Sequence, residues 1–224
     1  MPFGNACCLT DPKGETKMKD IKLFYKLVVP DKSELLLDYQ PGEDWLDYFM
    51  PMGGEWEQKD GWLIGTERGS KGGILFTKDY YEDNVMLSFT AKTALPATRD
   101  VNAVICAHWN EEIDYLGEAY ICGINGWYEH KSGIERHRCR PRSINTMFEY
   151  TPGEEVKVCF GAIDGHCFMT VNDILVCELE DPNFIKGGHV GFSPFCTRLM
   201  IKDIQVRKIY HETLIQTYDV EFDD

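Results

Sequence analysis

The sequence predicts an all-β fold, a jelly-roll sandwich of two antiparallel sheets. Short runs rich in Val, Ile, Phe and Tyr recur along the chain, bounded by Gly, Asp, Asn and Pro. Two tight hairpin turns follow one another, at Asp164-Gly165 and Asn172-Asp173. No run of three turns has helical periodicity. About fourteen strands in one continuous chain indicate two packed sheets.

The predicted strands follow in chain order at residues 21–29, 35–38, 56–58, 62–65, 73–77, 85–92, 101–109, 119–124, 145–150, 155–163, 166–171, 174–180, 188–193 and 199–209. The twin turns place strands 166–171 and 174–180 side by side. The best helical signal is a short stretch at residues 41–48, where Glu43, Asp44 and Asp47 suit a first helical turn. No linker or repeat divides the chain. We therefore expect one domain over residues 1–224, with extensions at 1–20 and 210–224.

Composition limits the partners and the compartment. The net charge is −14 and the pI about 4.8, which argues against nucleic acid or an anionic membrane as partner because both need a basic surface. Neither a signal peptide nor a membrane-spanning run is evident. The nine cysteines are odd in number, and several lie in strand-like runs. We expect free thiols and a cytoplasmic protein. A homo-oligomer stays open.

The segment at residues 117–142 differs from the rest of this acidic chain. It concentrates basic, aromatic and acidic side chains, among them Lys131, Arg136, Arg138, Arg140, Arg142, Tyr120, Trp127, Tyr128, Glu118, Glu129 and Glu135. Aromatic rings cover the apolar faces of sugars, carboxylates accept hydroxyl hydrogen bonds, and arginine holds anions. The pattern predicts a site for a polar, anionic or neutral sugar. A solvated turn with internal ion pairs would have the same composition.

Strand alternation suggests catalytic residues within this segment. Glu135 and His137 would share one face, where a carboxylate would orient the imidazole and raise its pKa, giving an acid/base pair. A solvent-side ion pair is the alternative. Tyr120 is the third catalytic candidate, because it would point into the groove beside small residues such as Cys122.

Substrate binding is assigned to residues around that pair. Arg136 is the predicted anion clamp, because it would lie nearest the aromatic cluster. Trp109 and Asn110 end an apolar strand, where Trp109 would either stack on a sugar or close one end of the core. The remaining candidates are Glu118, Trp127, Glu129 and Arg138.

Three segments together resemble a known family. The first is GGEWEQKDGWLIGTERGSKGGILFTKDYYEDNVMLSFTAK, the second is the central stretch rich in Tyr, Trp and Arg, and the third is the C-terminal run. The C-terminal run EVKVCFGAIDGHCFMTVNDILVCELEDPNFIKGGHVGFSPFCTRLMIKDIQVRKI resembles the C-terminal half of concanavalin A-like lectin/glucanase domains. GIERHRCRPRSIN is similar to a stretch of the YesU-like bacterial proteins. The 3-keto-disaccharide hydrolase-like domains are more distant. The resemblance covers residues 45–209 and implies a jelly roll with a concave carbohydrate face and hydrolase or lyase activity. It also implies a structural calcium ion, with Asp203 as candidate ligand.

One motif of the laminarinase-like relatives is missing. They carry ExDxxE on one strand, and the nearest acidic cluster in this chain is NEEIDYLGE, which lacks that spacing. A retaining mechanism with two carboxyl groups about 5 Å apart is therefore unsupported. The sequence favours a carbohydrate-active protein that binds or cleaves an oligosaccharide or modified glycoside. The alternative is a non-catalytic carbohydrate-binding or protein-interaction module.

Overall fold

A computed structural model describes residues 18–68, 72–82, 84–127, 131–138 and 140–214. Two large antiparallel sheets dominate these residues, and the predicted sandwich is confirmed. The strands are β1 (Ile21–Lys22), β2 (Lys26–Val28), β3 (Glu34–Tyr39), β4 (Phe49–Gly53), β5 (Glu55–Lys59), β6 (Trp62–Glu67), β7 (Ile74–Thr77), β8 (Val85–Thr93), β9 (Val101–Ala107), β10 (Trp109–Asn110), β11 (Tyr115–Leu116), β12 (Ala119–Trp127), β13 (Lys131–His137), β14 (Arg142–Asn145), β15 (Val156–Ile163), β16 (His166–Val171), β17 (Ile174–Glu180), β18 (His189–Phe192), β19 (Thr197–Lys208) and β20 (His211–Thr213).

The strand order places distant parts of the chain side by side. The seven-stranded sheet runs β14-β13-β12-β9-β18-β7-β4, and the eight-stranded sheet runs β17-β16-β15-β8-β19-β6-β5. β3 is an additional strand outside this linear order and pairs with β19. The predicted hairpins are confirmed, since β15 pairs with β16 and β16 with β17. Asp164, Asn172 and Asp173 adopt positive φ there, as tight two-residue turns require.

The main core lies between the two sheets, and side-chain alternation decides which residues enter it. On β12, Tyr120, Cys122 and Ile124 join this core, together with residues of the opposite sheet such as Phe160. Ile121 points the other way and belongs to a separate cluster on the outer face of the seven-stranded sheet. One strand therefore serves both the core and an outer surface.

Smaller elements cover both outer faces. The hairpin of β10 and β11 contributes Trp109, Tyr115 and Leu116 to the cluster on the outer face of the seven-stranded sheet. A three-stranded sheet, β1-β2-β20, packs through Leu23 and Val28 on the outer face of the eight-stranded sheet. Because β20 takes part, the predicted extension at 210–224 contributes a strand to the fold.

Several local predictions differ from the structure. The short helix α1 (Trp45–Tyr48) lies inside the predicted stretch 41–48, and a 3-10 helix at Pro30–Lys32 was not predicted. The predicted strand 145–150 is wrong, because β14 ends at Asn145. The Asn145 Oδ1 accepts hydrogen bonds from the amides of Met147 and Phe148 and turns the chain. None of the helices in the described ranges is long and apolar enough to span a membrane.

Candidate functional site

The outer face of the seven-stranded sheet brings the polar part of the segment 117–142 together. Pairing between β14, β13 and β12 aligns Arg142 with Glu135 and Glu135 with Ile121. In the next row, Gly133 and Gly123 lie side by side, and Gly123 pairs with Asn102 on β9. The two glycines leave a floor of bare backbone beside the Glu135 carboxylate.

Trp127 lies on this glycine floor. A β-carbon at Gly123 would collide with both the Trp127 ring and the Asn102 side chain. The Trp127 Nε1 donates a hydrogen bond of 3.1 Å to Glu135 Oε2, and an Arg142 terminal nitrogen lies 2.6 Å from the same oxygen. Glu135 is only 9% exposed. The carboxylate is thus held in a fixed, charge-compensated position.

A continuous series of ring contacts extends from this point across the face. The ring centroids of His137 and Tyr115 are 5.8 Å apart, and those of Tyr115 and Trp109 are 6.5 Å apart. Trp109 meets Phe76 edge-on at 6.4 Å, and Phe76 stacks on His189 at 5.4 Å. These rings come from β13, β11, β10, β7 and β18, so they meet only in the folded protein.

His137 is a neutral imidazole with one free nitrogen. Burial lowers its pKa, the Arg138 charge lowers it further, and a hydrogen bond to the Leu116 carbonyl opposes both. The His137 Nε2 is buried and has no hydrogen-bond partner, so Nδ1 is the nitrogen that donates to Leu116. An unprotonated Nε2 therefore remains as an acceptor at neutral pH.

The predicted coupling of Glu135 to His137 is not what the structure has. The two residues share the outer face of β13, as alternation predicts. Glu135 is bonded to Trp127 and Arg142, however, and His137 to Leu116. The predicted rise of the His137 pKa is wrong, because burial and Arg138 act on the ring in place of a carboxylate. A catalytic role for the two residues stays a prediction.

Tyr120 does not fit the catalytic role predicted for it. Its side chain is 0% exposed and points into the core between the sheets. The hydroxyl donates to Asp181 Oδ2 at 2.8 Å and accepts from the Ile185 amide at 3.2 Å. Burial raises the pKa of this phenol. A substrate on the outer face cannot reach it.

Arg136 and Glu118 likewise have a structural role. The Arg136 guanidinium lies 3.0 Å from Asp181 Oδ2 and 2.6 Å from Glu118 Oε1, and it donates to the Asn183 carbonyl at 2.6 Å. Arg136 pairs with Tyr120 across the strands and shares its side of the sheet. This side faces away from Glu135 and the guanidinium is already paired, which argues against the predicted anion clamp; a binding role for Arg136 stays a prediction.

The other predicted binding residues have mixed outcomes. Trp109 lies in the ring series, and exposed Arg138 is close enough to alter the pKa values of His137 and Tyr115. Asn110 instead forms the turn after β10, where its Oδ1 accepts from the Glu112 amide at 3.0 Å. Glu129 falls outside the described residues.

Asp100 is a buried carboxyl group that sequence reasoning missed. It is 3% exposed at the start of β9, and burial raises its pKa to about 7. Arg99 lies 3.9 Å away and Asn102 donates a hydrogen bond to it, and both effects lower the pKa. In a sequence, an aspartate before an apolar run is typical of a turn, so Asp100 differs from an ordinary turn residue only in its burial, which the sequence does not show. Phe76 and His189 were missed because strand order alone brings them to this face.

Comparison with known proteins gives the fold. No family model and no curated protein matches the sequence. A Bacillus subtilis protein of unknown function with a galectin-like fold superposes with a TM-score of 0.63 at 9% identity, over 79% of this chain and 96% of that one. The carbohydrate-binding module CBM66 from Bacillus subtilis gives 0.55 at 10% identity over 71% and 94%. A Bacillus licheniformis β-glucanase gives 0.54 at 8% identity over 76% and 97%. The chain has the concanavalin A-like fold.

Within this concanavalin A-like sandwich, two further predictions have outcomes. The acidic cluster around Glu112 and Asp114 lies in the exposed turn between β10 and β11, away from any strand face. Asp203 is an exposed residue at a bulge of β19, on the outer face of the eight-stranded sheet. The described residues contain no group of three His, Cys, Asp or Glu side chains placed to hold a metal. The expected calcium ion therefore has no side-chain ligand cluster there.

Proposed function

We propose that this protein binds a carbohydrate on the outer face of the seven-stranded sheet. The observation that carries the proposal is a set of partly exposed rings, His137, Tyr115, Trp109 and His189, that pack around the buried Phe76 on the face that also carries the fixed Glu135 carboxylate. Sugar-binding sites combine flat aromatic surfaces with a few oriented polar groups. The fold shared with a carbohydrate-binding module and a β-glucanase supports the same ligand class.

Each side chain of the face has a distinct task in such a complex. Trp109 and Tyr115 offer ring surface to the C–H faces of a sugar. The half-buried His137 ring packs edge-on against Tyr115 and supports that ring from the side. Exposed Arg138 donates hydrogen bonds at the rim. Glu135 accepts a hydroxyl hydrogen bond through the oxygen that Trp127 and Arg142 leave open.

The arrangement of carboxyl groups favours binding over hydrolysis. Glycosidases with two carboxyl groups hold them roughly 5–10 Å apart. The described residues near this face include Glu135 on β13 and Asp100 at the start of β9, with β12 between them. Glu67 is a third carboxylate, close enough to Tyr115 to raise the pKa of that phenol. The Glu135 carboxylate is bonded to Trp127 and Arg142, and the sequence lacks the ExDxxE spacing that places paired carboxylates on one strand. We therefore favour a non-catalytic binding role.

Proton transfer by His137 is the second candidate function. The imidazole is neutral, but its Nε2 is buried, so removal of a proton from a bound sugar would require the ring to rotate outward first. Under this alternative, wild type would consume an oligosaccharide and His137→Gln would lose about 10²–10⁴-fold in turnover. Glycan binding without consumption supports the binding role.

A matched pair of tryptophan variants tests the site. Trp109→Leu removes a ring from the proposed face, whereas Trp62→Leu removes one from the outer face of the other sheet, under Lys92 and Lys202. On a glycan panel followed by calorimetry, Trp109→Leu should weaken binding about ten- to a hundredfold. Trp62→Leu should leave affinity unchanged. Equal affinity in both variants, or no binding by wild type, contradicts the proposal.

A further inference from the structure

The opposite side of the sandwich holds a second recess. A groove of about 760 Å³ lies on the outer face of the eight-stranded sheet. Residues Met18–Lys22, Pro30 and Asp31, next to the small sheet, form one wall. Small-molecule sites in proteins have volumes of roughly 300–1,000 Å³. The groove is separated from the aromatic face by the full thickness of the sandwich.

The floor of this groove is a row of small polar side chains across neighbouring strands. Strand pairing aligns Asp38 with Gln205, Gln205 with Ser88, Ser88 with Cys159 and Cys159 with Thr170. All five residues line the groove. A covered sheet face normally carries apolar residues, so a polar row beneath a recess indicates that the recess holds polar groups.

The hydroxyl groups of this floor have no partner within the protein. In the part of the chain that the structure describes, the side chains of Ser88, Thr90 and Thr170 make no hydrogen bond. Thr90 is 7% exposed and Thr170 is 5% exposed. None of these three hydroxyls is among the buried side-chain atoms without a partner that the described residues contain, so all three are open to the groove. A ligand in the groove can therefore exchange hydrogen bonds with them in place of water.

Arg207, which also lines the groove, has hydrogen-bond donors that are only weakly bonded within the protein. Its Nε is buried without a hydrogen-bond partner, and its terminal nitrogens make only long bonds, 3.4 Å to the Ser33 carbonyl and 3.3 Å to Gln205. The guanidinium is near enough to lower the pKa of Cys159 on the floor. Because the terminal nitrogens make only long bonds, an oxygen of a molecule bound in the groove would be a better acceptor for them than their present partners.

The charges around the groove balance. Four basic side chains line it, Lys19, Lys22, Lys157 and Arg207, and five acidic ones, Asp20, Asp31, Asp38, Asp173 and Asp203. This balance disfavours a strongly charged ligand of either sign. Apart from Phe89, which belongs to the main core, no described aromatic residue lines the groove. Recognition here would rest on hydrogen bonds in place of ring stacking.

We propose that this groove is a second ligand site, which takes a small neutral polyhydroxylated molecule of monosaccharide or disaccharide size. The ligand's hydroxyl groups donate to Asp38 and Asp203 and accept from Arg207. They also exchange hydrogen bonds with Ser88, Thr90 and Thr170. The site is independent of the aromatic face and does not rest on the function proposed for it.

Amide chemical shifts of the labelled full chain test this site with cellobiose as the probe. Binding in the groove should shift signals from β8, β15 and β16, whereas binding at the aromatic face shifts β10 to β13. The double variant Thr90→Val/Thr170→Val keeps the side-chain shapes and removes only unpartnered hydroxyls. It should keep or raise the melting temperature and weaken cellobiose binding about five- to fiftyfold through the loss of one or two hydrogen bonds.

Two control variants show whether cellobiose binds in the groove. Thr66→Val, on β6 outside the groove, should bind cellobiose like wild type. The Trp109→Leu variant should retain the groove shifts. Three results would each overturn the proposal: no cellobiose shift in β8, β15 and β16, unchanged affinity in the double variant, or groove shifts with glucose 6-phosphate alone.

Discussion

Replacing Tyr120 by Phe separates a structural from a catalytic role. The substitution removes one oxygen and leaves the ring, so no cavity forms in the core between the sheets. The lost hydroxyl donates to Asp181 at 2.8 Å and accepts from the Ile185 amide at 3.2 Å. Asp181 keeps Arg136 as a partner, but the Ile185 amide loses the only acceptor recorded for it.

The expected cost follows from those two bonds. A hydrogen bond to a charged group contributes about 1.5–3 kcal/mol, and an orphaned buried donor adds about 1 kcal/mol or more. We expect Tyr120→Phe to lower the free energy of unfolding by about 2–4 kcal/mol. For a domain of this size that corresponds to a fall in melting temperature of roughly 4–16 °C.

Urea unfolding and calorimetry measure that change, with Tyr48→Phe as control. Tyr48 is 41% exposed, and its variant should unfold like wild type. Glycan affinity at a temperature where the variant is folded should stay at the wild-type value. A Tyr120→Phe protein of normal stability that loses binding or turnover would refute the structural role and restore Tyr120 to the site.

Three further predictions concern titrating groups and thiols. Burial raises the folded-state pKa of Asp100 from 3.8 to about 7, so the free energy of unfolding of the wild type should fall as pH rises between these values. In urea unfolding, Asp100→Asn should show a smaller pH dependence. At pH 8 it should be more stable than wild type by up to about 4 kcal/mol. The His137 pKa should lie below 6.5 by NMR titration and rise in Arg138→Gln but not in Arg140→Gln, because only Arg138 acts on the ring. Thiol titration in denaturant should find nine free cysteines, as expected in a reducing compartment, and seven or fewer would contradict that compartment. In the native protein Cys196 should react, because it is the exposed one of the six described cysteines.

The fold was predictable where local rules decide it. Alternation, turn residues and β-branched runs act over a few neighbours, so the hairpins at Asp164-Gly165 and Asn172-Asp173 could be placed from the sequence. β4, β13 and β14 were missed as strands because Pro51, glycines and clustered charges weaken the local signal there. Pairing with strands that are distant in sequence stabilises them, and a single sequence does not show that pairing.

The site was only partly predictable, for a related reason. Alternation correctly placed Glu135 and His137 on one face, but it does not say which face of a sheet is the core. The small residues Cys122 and Gly123 predicted open space for a ligand near Tyr120. In the fold, Cys122 lies in the core and Trp127 fills the space over Gly123. Small residues indicate a close neighbour as often as they indicate room for a ligand.

The basic residues of the segment 117–142 are divided between the two faces of the seven-stranded sheet, and this division bears on the ligand. Alternation sends Arg136 to the inner side, where Asp181 and Glu118 neutralise it. It sends Arg142 to the outer side, where Glu135 neutralises it. Arg138 remains exposed beside the aromatic face. A site for a polyanionic sugar would keep several arginines uncommitted, because each paired guanidinium has already given its charge to a protein carboxylate. Arg140 is also exposed, and Lys131, which alternation places on the outer side with Glu135, is a further cation of this segment. Because two of the five basic residues are neutralised, we expect a neutral or weakly acidic glycan in preference to a polyanion.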